Sequence, residues 1–473
     1  MGGRSPRLLS PTRFEKSARV TTRSQEKLGK EDASTSSGYS CLSSVPSASV
    51  TYLAIACMVI FCPTMVIYMW YAHRYLDGSI IQLRNHIRQE KSLLRIVDIW
   101  PVPTFFGCMA VGALAVSQAL MQILLPGAYF FGPVTPRGNR PLYKKNGFAA
   151  YWITMLTTWI TWREGFFNPA TIYDHLGEII STSICVSVVL CILLYVKGYL
   201  APSSSDCRSS GSIILDIFWG MELHPKIGRW LDMRELLTSR IAMTSWALLV
   251  VSYMCKQIET FGHLHDSMVV TGSLMLMYVT KHFWLEHSYL SSLDMAHDRT
   301  GLYTVWCSLV WVPSVYTSPA LFLASHPIEL GLKVSVTIFV LGFISICILY
   351  DCDNQKAKFR EANGRCHIWG KPATKIIAHY LIENGEHHIS PLLTSGWWGL
   401  ARNFHYLPEL CSAFLWTLPC LFTHFLPYYY FLGLSFLLFD RAKRDDHRCR
   451  RKYQRYWEVY CRKVPWKIIP HVY

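Results

Sequence analysis

The chain has 473 residues, of which 51% are hydrophobic, 14% aromatic and only 16% charged, where a soluble globular chain carries about 25% charged residues. With a mean hydropathy of +0.21, that deficit excludes an ordinary soluble protein and points to an all-α polytopic integral membrane protein. The formal net charge of +15 gathers in the N-terminal tail, after residue 350 and near the C-terminus; basic loops beside membrane helices account for this without nucleic acid.

Residues 1–48 are rich in Ser, Thr, Arg and Lys and are expected to be a disordered basic tail. The first apolar run, 51–72, is too long for a signal-peptide core and reads as a signal anchor. Crossing a bilayer takes about 20 mostly apolar residues. Runs at 51–72, 104–126, 147–163, 179–200, 241–256, 267–285, 302–324, 331–350, 405–425 and 427–440 therefore give about ten spans. Basic clusters at Lys16, Arg19 and Arg23, at Arg137, Arg140, Lys144 and Lys145, at Lys356, Lys358 and Arg360, and between 441 and 452 fit cytosolic N- and C-termini. Arg84, Arg88, Lys91 and Arg95 fall on the wrong side of that topology: either they lie in an amphipathic helix in the interface or the first span is misplaced. Residues 49–350 thus hold eight spans, 351–404 a small polar cytosolic cap, and 405–473 the last two spans with a basic C-terminal segment. In the cap, Asn384-Gly385 between 376–382 and 388–394 predicts a β-hairpin, with His387-His388 as polar loop residues just after the turn. The 16 cysteines form no CxxC pair, so Cys57, Cys62, Cys185, Cys191, Cys347, Cys411 and Cys420, inside apolar runs, read as small buried hydrophobes and no metal site is expected. No Gly-rich phosphate loop occurs in the sequence, so a nucleotide has to be held by side chains.

Three polar stretches carry candidate chemistry. In the segment from 441 to 453, Arg441, Asp445, Arg448 and Lys452 share one helical face. Such a face can clamp the phosphates of a dinucleotide, although a basic stop-transfer helix has the same composition. Lys356 and Arg360 share a face after the eighth span. Before the ninth, Ser395-Gly396-Trp397-Trp398-Gly399, with Arg402 and His405 following, offers an aromatic wall with cations, the surroundings a nicotinamide or adenine ring needs and equally those of an interfacial aromatic belt. Glu286, Asp294 and Asp298 cluster after the sixth span, where carboxylates are candidates for function or simply reach for water.

The arrangement of Asn354-Gln355-Lys356 with Phe359-Arg360, then 395–402, then Arg441 with Arg444-Asp445, His447-Arg448-Cys449 and Lys452-Tyr453, ending in Val464-Pro465-Trp466-Lys467, resembles the membrane sterol reductase family. Within it, the delta-7 reductases are most similar. Supporting stretches are Gly220-Met221-Glu222, Asp294-Met295-Ala296-His297-Asp298, Trp311-Val312-Pro313 and Asn363-Gly364-Arg365-Cys366. The likeness covers most of 50–473, and the isoprenylcysteine methyltransferases share a weaker version of the last two spans. The resemblance implies an endoplasmic reticulum enzyme that reduces a sterol ring double bond with NADPH, in a ten-helix fold. A lateral pocket would admit sterol and a cytosolic pocket the cofactor, with membrane lipids and other sterol-biosynthesis enzymes as neighbours. It implies Lys356, Arg360, Trp398, Arg402, Arg441, Lys452 and Tyr453 for NADPH, with His405 beside them. Tyr278 and Asp445 would sit where the two pockets meet, and Glu286 matches a family Glu. Asp445, flanked by Arg441 and Arg444, is expected to orient, with Tyr278 or a relayed water giving the proton. The chain departs from the family at Lys281 and Ser308, each in place of an Asp, at Asn403 and His405, and at Pro408-Glu409, in place of Gly-Asp. Those departures leave a catalytically silent sterol-binding scaffold, or delta-14 specificity, as alternatives.

Overall fold

The computed structural model describes residues 48–89, 96–381 and 385–473. The chain divides into two units, 1–59 and 60–473. The described part of the first contains helix α1 (Ala48–Ala56). The second contains α2 (Cys62–Tyr75), α3 (Phe105–Leu124), α4 (Gly147–Arg163), α5 (Leu176–Leu200), α6 (Ala242–Phe261) and α7 (Asp266–Trp284). These are followed by α8 (Leu302–Tyr316), α9 (Ser318–Ser325), α10 (Leu332–Glu361), α11 (Tyr406–Thr417), α12 (Tyr429–Tyr453) and α13 (Arg455–Lys463).

Local chemistry sets the helix ends. Pro63 stands at the start of α2, just after the π-helical stretch Cys57–Phe61, the kind of local adjustment that accommodates a proline within a continuous helix. The Thr104 side chain accepts from Gly107 N to cap α3. Gly262 closes α6 in the left-handed conformation, φ 81°. Pro313 lies within α8, and a 40° bend separates α8 from α9, consistent with the lost backbone donor.

Five helices are long and apolar enough to cross a bilayer: Thr51–Tyr75, Phe105–Leu124, Leu176–Leu200, Met233–Phe261 and Leu332–Glu361. The bent pair α8–α9 makes a sixth. The chain is therefore mostly helical with several apolar helices suited to a membrane. The expected spans at 147–163, 267–285, 405–425 and 427–440 fall outside this set. Helix α4 has 17 residues, and α7 carries Asp266, Lys281 and His282 within its 19. Helix α11 has 12 residues before Pro419 turns the chain into a 3₁₀ segment, and the second half of α12 is strongly charged.

Helix α6 is the centre. The span containing it is 78% buried against 17–39% for the other four long ones, so it is covered by protein on most of its surface. Its Trp246, Ala247, Val250 and Tyr253 are at most 2% exposed. Helix α7 packs on α6, α10 and α11; α10 packs on α11, and α11 on α12. Strands β1 (Ala128–Phe131) and β2 (Leu142–Lys145) pair antiparallel, as do β3 (Lys375–Leu381) and β4 (His387–Leu393), with Leu381 opposite His387. Part of the expected turn at Asn384-Gly385 lies outside the described residues. His387 and His388 belong to β4 rather than to a loop, and β3 packs against α12 and α13.

Other expectations shift. Residues 80–89 form a helix whose Leu83 packs on Met69, Ala72 and Leu426; Lys91 and Arg95 lie outside the described residues. Of the seven cysteines expected to be buried, Cys191 and Cys420 are, and Cys62 is partly so. Cys57, Cys185, Cys347 and Cys411 are exposed, because an apolar run in a membrane helix supplies an outward face as well as a core.

Candidate active site

Helix α10 organises one wall. Trp397 Nε1 donates to Asp351 Oδ2 at 2.8 Å and Trp398 Nε1 to the Cys352 carbonyl at 2.9 Å. Gly396 enters this docking at φ 64°, with its α-hydrogen face against the Gln355 side chain, where a Cβ would collide. Gln355 Oε1 in turn accepts from Trp397 N at 3.2 Å. Trp398 is only 4% exposed. The Lys356 ammonium stands 3.8 Å from its ring centre, and the His405 ring packs 4.9 Å away. The tandem tryptophans are thus built into α10, and the cation already covers the ring.

Beyond Lys356 the positive charge continues. Arg360 Nη1 donates to the Ser291 carbonyl at 2.8 Å. The Lys452 ammonium lies 4.4 Å from the Tyr380 ring centre and 5.3 Å from that of Tyr453. Among the described residues, Lys356, Arg360 and Lys452 take part in no salt bridge; aromatic rings and a carbonyl lie closest, with Asp445 near Lys356 and Arg360 and Asp353 near Lys356 beyond salt-bridge distance. Burial, and then Arg360, hold the Lys452 ammonium below its usual pKa. Burial, followed by Lys452 and Arg448, pushes His297 down to about 4. Both shifts report a positive, partly dehydrated region.

The remaining cations of the expected clamp are paired. Arg441 makes an ion pair with Asp294, and Arg448 Nη2 one with Asp298 Oδ1 at 2.8 Å. Arg402 Nη1 donates to Asp446 Oδ1 at 2.8 Å and to Cys461 Sγ at 2.7 Å. Its backbone N–H donates to the Trp466 carbonyl, so Arg402 ties the C-terminal segment to α12. Among the described residues Asp445 makes no salt bridge to Arg441 or Arg444, although Arg441 remains close enough to attract it. Arg444 pairs with Asp440 one turn earlier, at 2.8 Å, and the hydrogen-bond contact to Asp445 is a weak one from Cys449 Sγ at 3.9 Å.

Deeper, Tyr278 of α7 is boxed by Trp246 and Trp416, with ring centres 5.5 and 5.3 Å away. Its hydroxyl donates to Glu409 Oε1 at 3.4 Å. One turn on, Lys281 makes an ion pair with Asp353 of α10. The positive charge at 281 is therefore answered from the neighbouring helix. Ser308 is buried and donates to the Thr304 carbonyl at 2.8 Å.

Glu286 stands apart from this group. It is fully buried, 3.1 Å from Arg240 Nη2, and accepts from Gly147 N at 3.0 Å and Ser239 Oγ at 3.3 Å. Arg240 also holds Glu235 at 2.8 Å and Asn146 at 2.7 Å. A side chain at Gly147 would run into both Arg240 and Glu286. The carboxylates grouped in sequence at 286, 294 and 298 thus serve two separate places. Sequence reasoning passed over Glu409 except as a departure, and missed Asp353 and Tyr380. The i,i+4 aspartates at 294 and 298, set against the i,i+7 arginines at 441 and 448, were the available signal for the second pairing.

Residues 45–473 match the model of the ergosterol biosynthesis ERG4/ERG24 family. The chain belongs to that family of sterol reductases. The reductase is 50% identical over 429 residues to 7-dehydrocholesterol reductase of Arabidopsis thaliana, covering 91% of this chain and 99% of that one. It is 32% identical over 395 residues to 7-dehydrocholesterol reductase of Xenopus laevis, with 80% and 84% of the two chains covered. A delta(14)-sterol reductase of Methylotuvimicrobium alcaliphilum is 30% identical over 416 residues, covering 88% and 94%. The reductase is accordingly an oxidoreductase acting on a sterol double bond, and the motifs that suggested the family lie within the matched region.

Proposed function

We propose that this reductase reduces the delta-7 double bond of a 5,7-diene sterol such as 7-dehydrocholesterol, giving cholesterol, with NADPH as reductant. The observation that carries the cofactor assignment is the set of three neighbouring cations, Lys356, Arg360 and Lys452, that make no salt bridge among the described residues and lie against Trp398, Tyr380 and Tyr453. Lys356 and Lys452 are half-buried and call for an anion, with the exposed Arg360 beside them; a phosphorylated dinucleotide supplies phosphates for these cations and flat rings for the aromatic groups. These residues fit NADPH, with Arg441 and Arg448 completing the clamp on α12. When bound, the cofactor supplies hydride. The chain's own residues have to supply and steer a proton.

Tyr278 is the group suited to that task. It lies within an aromatic box, away from the α12 cations, with Glu409 on its hydroxyl. In this reading its O–H protonates C8, the allylic cation so formed takes hydride at C7, and Glu409 in its acid form returns a proton to the Tyr278 oxygen. One hydride and one proton are consumed per bond reduced. Asp445 orients from the cofactor side, while Glu286 with Arg240 and Glu235 is scaffold.

The stronger likeness is to proteins named for the delta-7 reaction, whereas the delta(14) relative is at 30%, so delta-14 activity stands second. The silent-scaffold alternative leaned on Lys281 and Ser308; the charge at Lys281 is met by Asp353, whereas Ser308 bonds only to the Thr304 carbonyl among the described residues, so this alternative stands third. We place the enzyme in the endoplasmic reticulum membrane with about ten spans, counting the shorter helices that lean on neighbours, and with both termini cytosolic. The test is purified protein in detergent with NADPH and 7-dehydrocholesterol, with products resolved by mass spectrometry. Cholesterol is the expected product. No turnover, together with unchanged NADPH binding in Arg441→Ala, overturns the assignment.

A further inference from the structure

Three of the cations assigned to the cofactor are gripped by a single short segment, residues 291–298. The Ser291 carbonyl accepts from Arg360 Nη1 at 2.8 Å. Asp294 pairs with Arg441, and Asp298 with Arg448 at 2.8 Å. The side chains in the two ion pairs are between 26% and 35% exposed, so they are neither sealed nor free.

The segment is itself fixed from behind. The one-turn helix Leu293–His297 starts at Ser292, whose side chain accepts from Met295 N. Asp298 N donates to the Asp294 carbonyl at 2.9 Å. Met295 is fully buried against Tyr143 and Leu290. Arg234, 2% exposed, donates from Nη2 to the Asp294 carbonyl at 2.6 Å. The carboxylates of Asp294 and Asp298 therefore project from an anchored base, i and i+4 apart, toward arginines i and i+7 apart on α12.

Each arginine has five N–H donors in a planar fork. The two ion pairs engage Nη2 of each arginine, which leaves the rest of the fork for a phosphate. A long side chain held in place before binding does not have to lose its rotamer freedom during binding. We propose that Asp294 and Asp298 are positioning residues of the cofactor site, holding Arg441 and Arg448 pre-aimed at the phosphates of NADPH, with 291–298 as the arm that carries them. This rests on the assignment of NADPH to α12 made above.

The test compares wild type with Asp294→Asn, Asp298→Asn, the double variant and Asp294→Glu, each purified in detergent. Measured are NADPH Kd by quenching of protein fluorescence, KM for NADPH and for sterol, kcat, and the unfolding temperature. Each Asn variant is expected to raise NADPH Kd and KM about tenfold, the loss of roughly one charge-assisted hydrogen bond. Sterol KM, unfolding temperature and kcat stay near wild type, and Asp294→Glu restores most of the affinity. Unchanged NADPH affinity in both Asn variants overturns the proposal. So does tighter NADPH binding, which would make the aspartates competitors of phosphate. A parallel fall in stability and every kinetic constant overturns it too, since that is the mark of a merely structural pair. If wild type itself does not bind NADPH, the α12 assignment fails first; if wild type binds and the variants match it, only this inference fails.

Discussion

In the reading proposed above, Tyr278 and Glu409 supply the proton. Removing one hydroxyl separates a proton donor from a pocket wall: Tyr278→Phe keeps the ring between Trp246 and Trp416 and loses only the O–H. The expected result is a fall in kcat of about 10²-fold or more, with NADPH Kd unchanged, read by steady-state kinetics and binding on the same preparation. An equal loss of binding would assign Tyr278 to the cofactor instead. His224 offers a pH test outside the membrane spans. Burial, followed by Arg234 and Lys226, pushes its pKa down to about 3, and its Nδ1 meets the Tyr143 hydroxyl at 3.1 Å. A histidine depressed in the folded state is neutral there while the unfolded chain still takes up a proton near its ordinary value of about 6.5. Its contribution is complete above that value and is lost as the pH falls from about 6.5 toward 3, at up to about 1.4 kcal/mol per pH unit. Thermal unfolding in detergent between pH 7 and pH 5 should therefore flatten in His224→Asn relative to wild type.

At the scale of elements, α10 and α12 face one another with unequal endowments. Lys356 and Arg360 on α10 and Lys452 at the end of α12 have no salt bridge among the described residues, while Arg441, Arg444 and Arg448 on α12 are all paired. Alanine at each of the first three is expected to raise the NADPH KM by about tenfold and to weaken the salt dependence of binding, measured as KM against ionic strength. Arg402→Ala should instead lower the unfolding temperature more than it changes KM, because Arg402 fastens Asp446, Cys461 and the Pro465 carbonyl. The shared face of Arg441, Asp445, Arg448 and Lys452 was legible because one helix, α12, fixes their spacing. The role of Arg402 was not, since its partners lie about forty to sixty residues away and only folding brings them near. The same limit hid Tyr380: on an alternating strand it reads as one more surface aromatic until β3 docks on α12 and α13.

For the whole molecule, the deepest constraint is the buried group of Arg240, Glu235, Glu286, Asn146 and Gly147. It ties α4, the segment leading into α6 and the end of α7 together without access to solvent. Removing one member leaves a buried charge uncompensated, a loss of about 3–5 kcal/mol. Glu286→Ala is expected to unfold at clearly lower temperature while the surviving fraction keeps wild-type KM for NADPH; a stable protein with lost kcat would return Glu286 to catalysis. Hydrophobic runs announced the apolar helices, because long apolar stretches have few other fates. They did not announce which helix is central. Helix α6 is less apolar on average than α5, and its burial comes from the neighbours packed around it. Span counting fails for a related reason: the charged helix α7 is packed on α6, α10 and α11 rather than carried by its own composition, while α4, with 17 residues, falls short on length.

Arg234 lies outside every site named from the sequence, and a variant there would be filed as a packing lesion. Yet it holds the carbonyl of the residue whose carboxylate holds Arg441. With NADPH on α12 as proposed, damage at 234 would reach the phosphates through two successive contacts and emerge as a defect in cofactor affinity. Such a defect is correctable by mass action, since ligand in excess of its dissociation constant stabilises the folded form that binds it. Arg234 variants should form a cofactor-responsive class, recovering both stability and turnover as NADPH is raised, whereas damage around Glu286 should not.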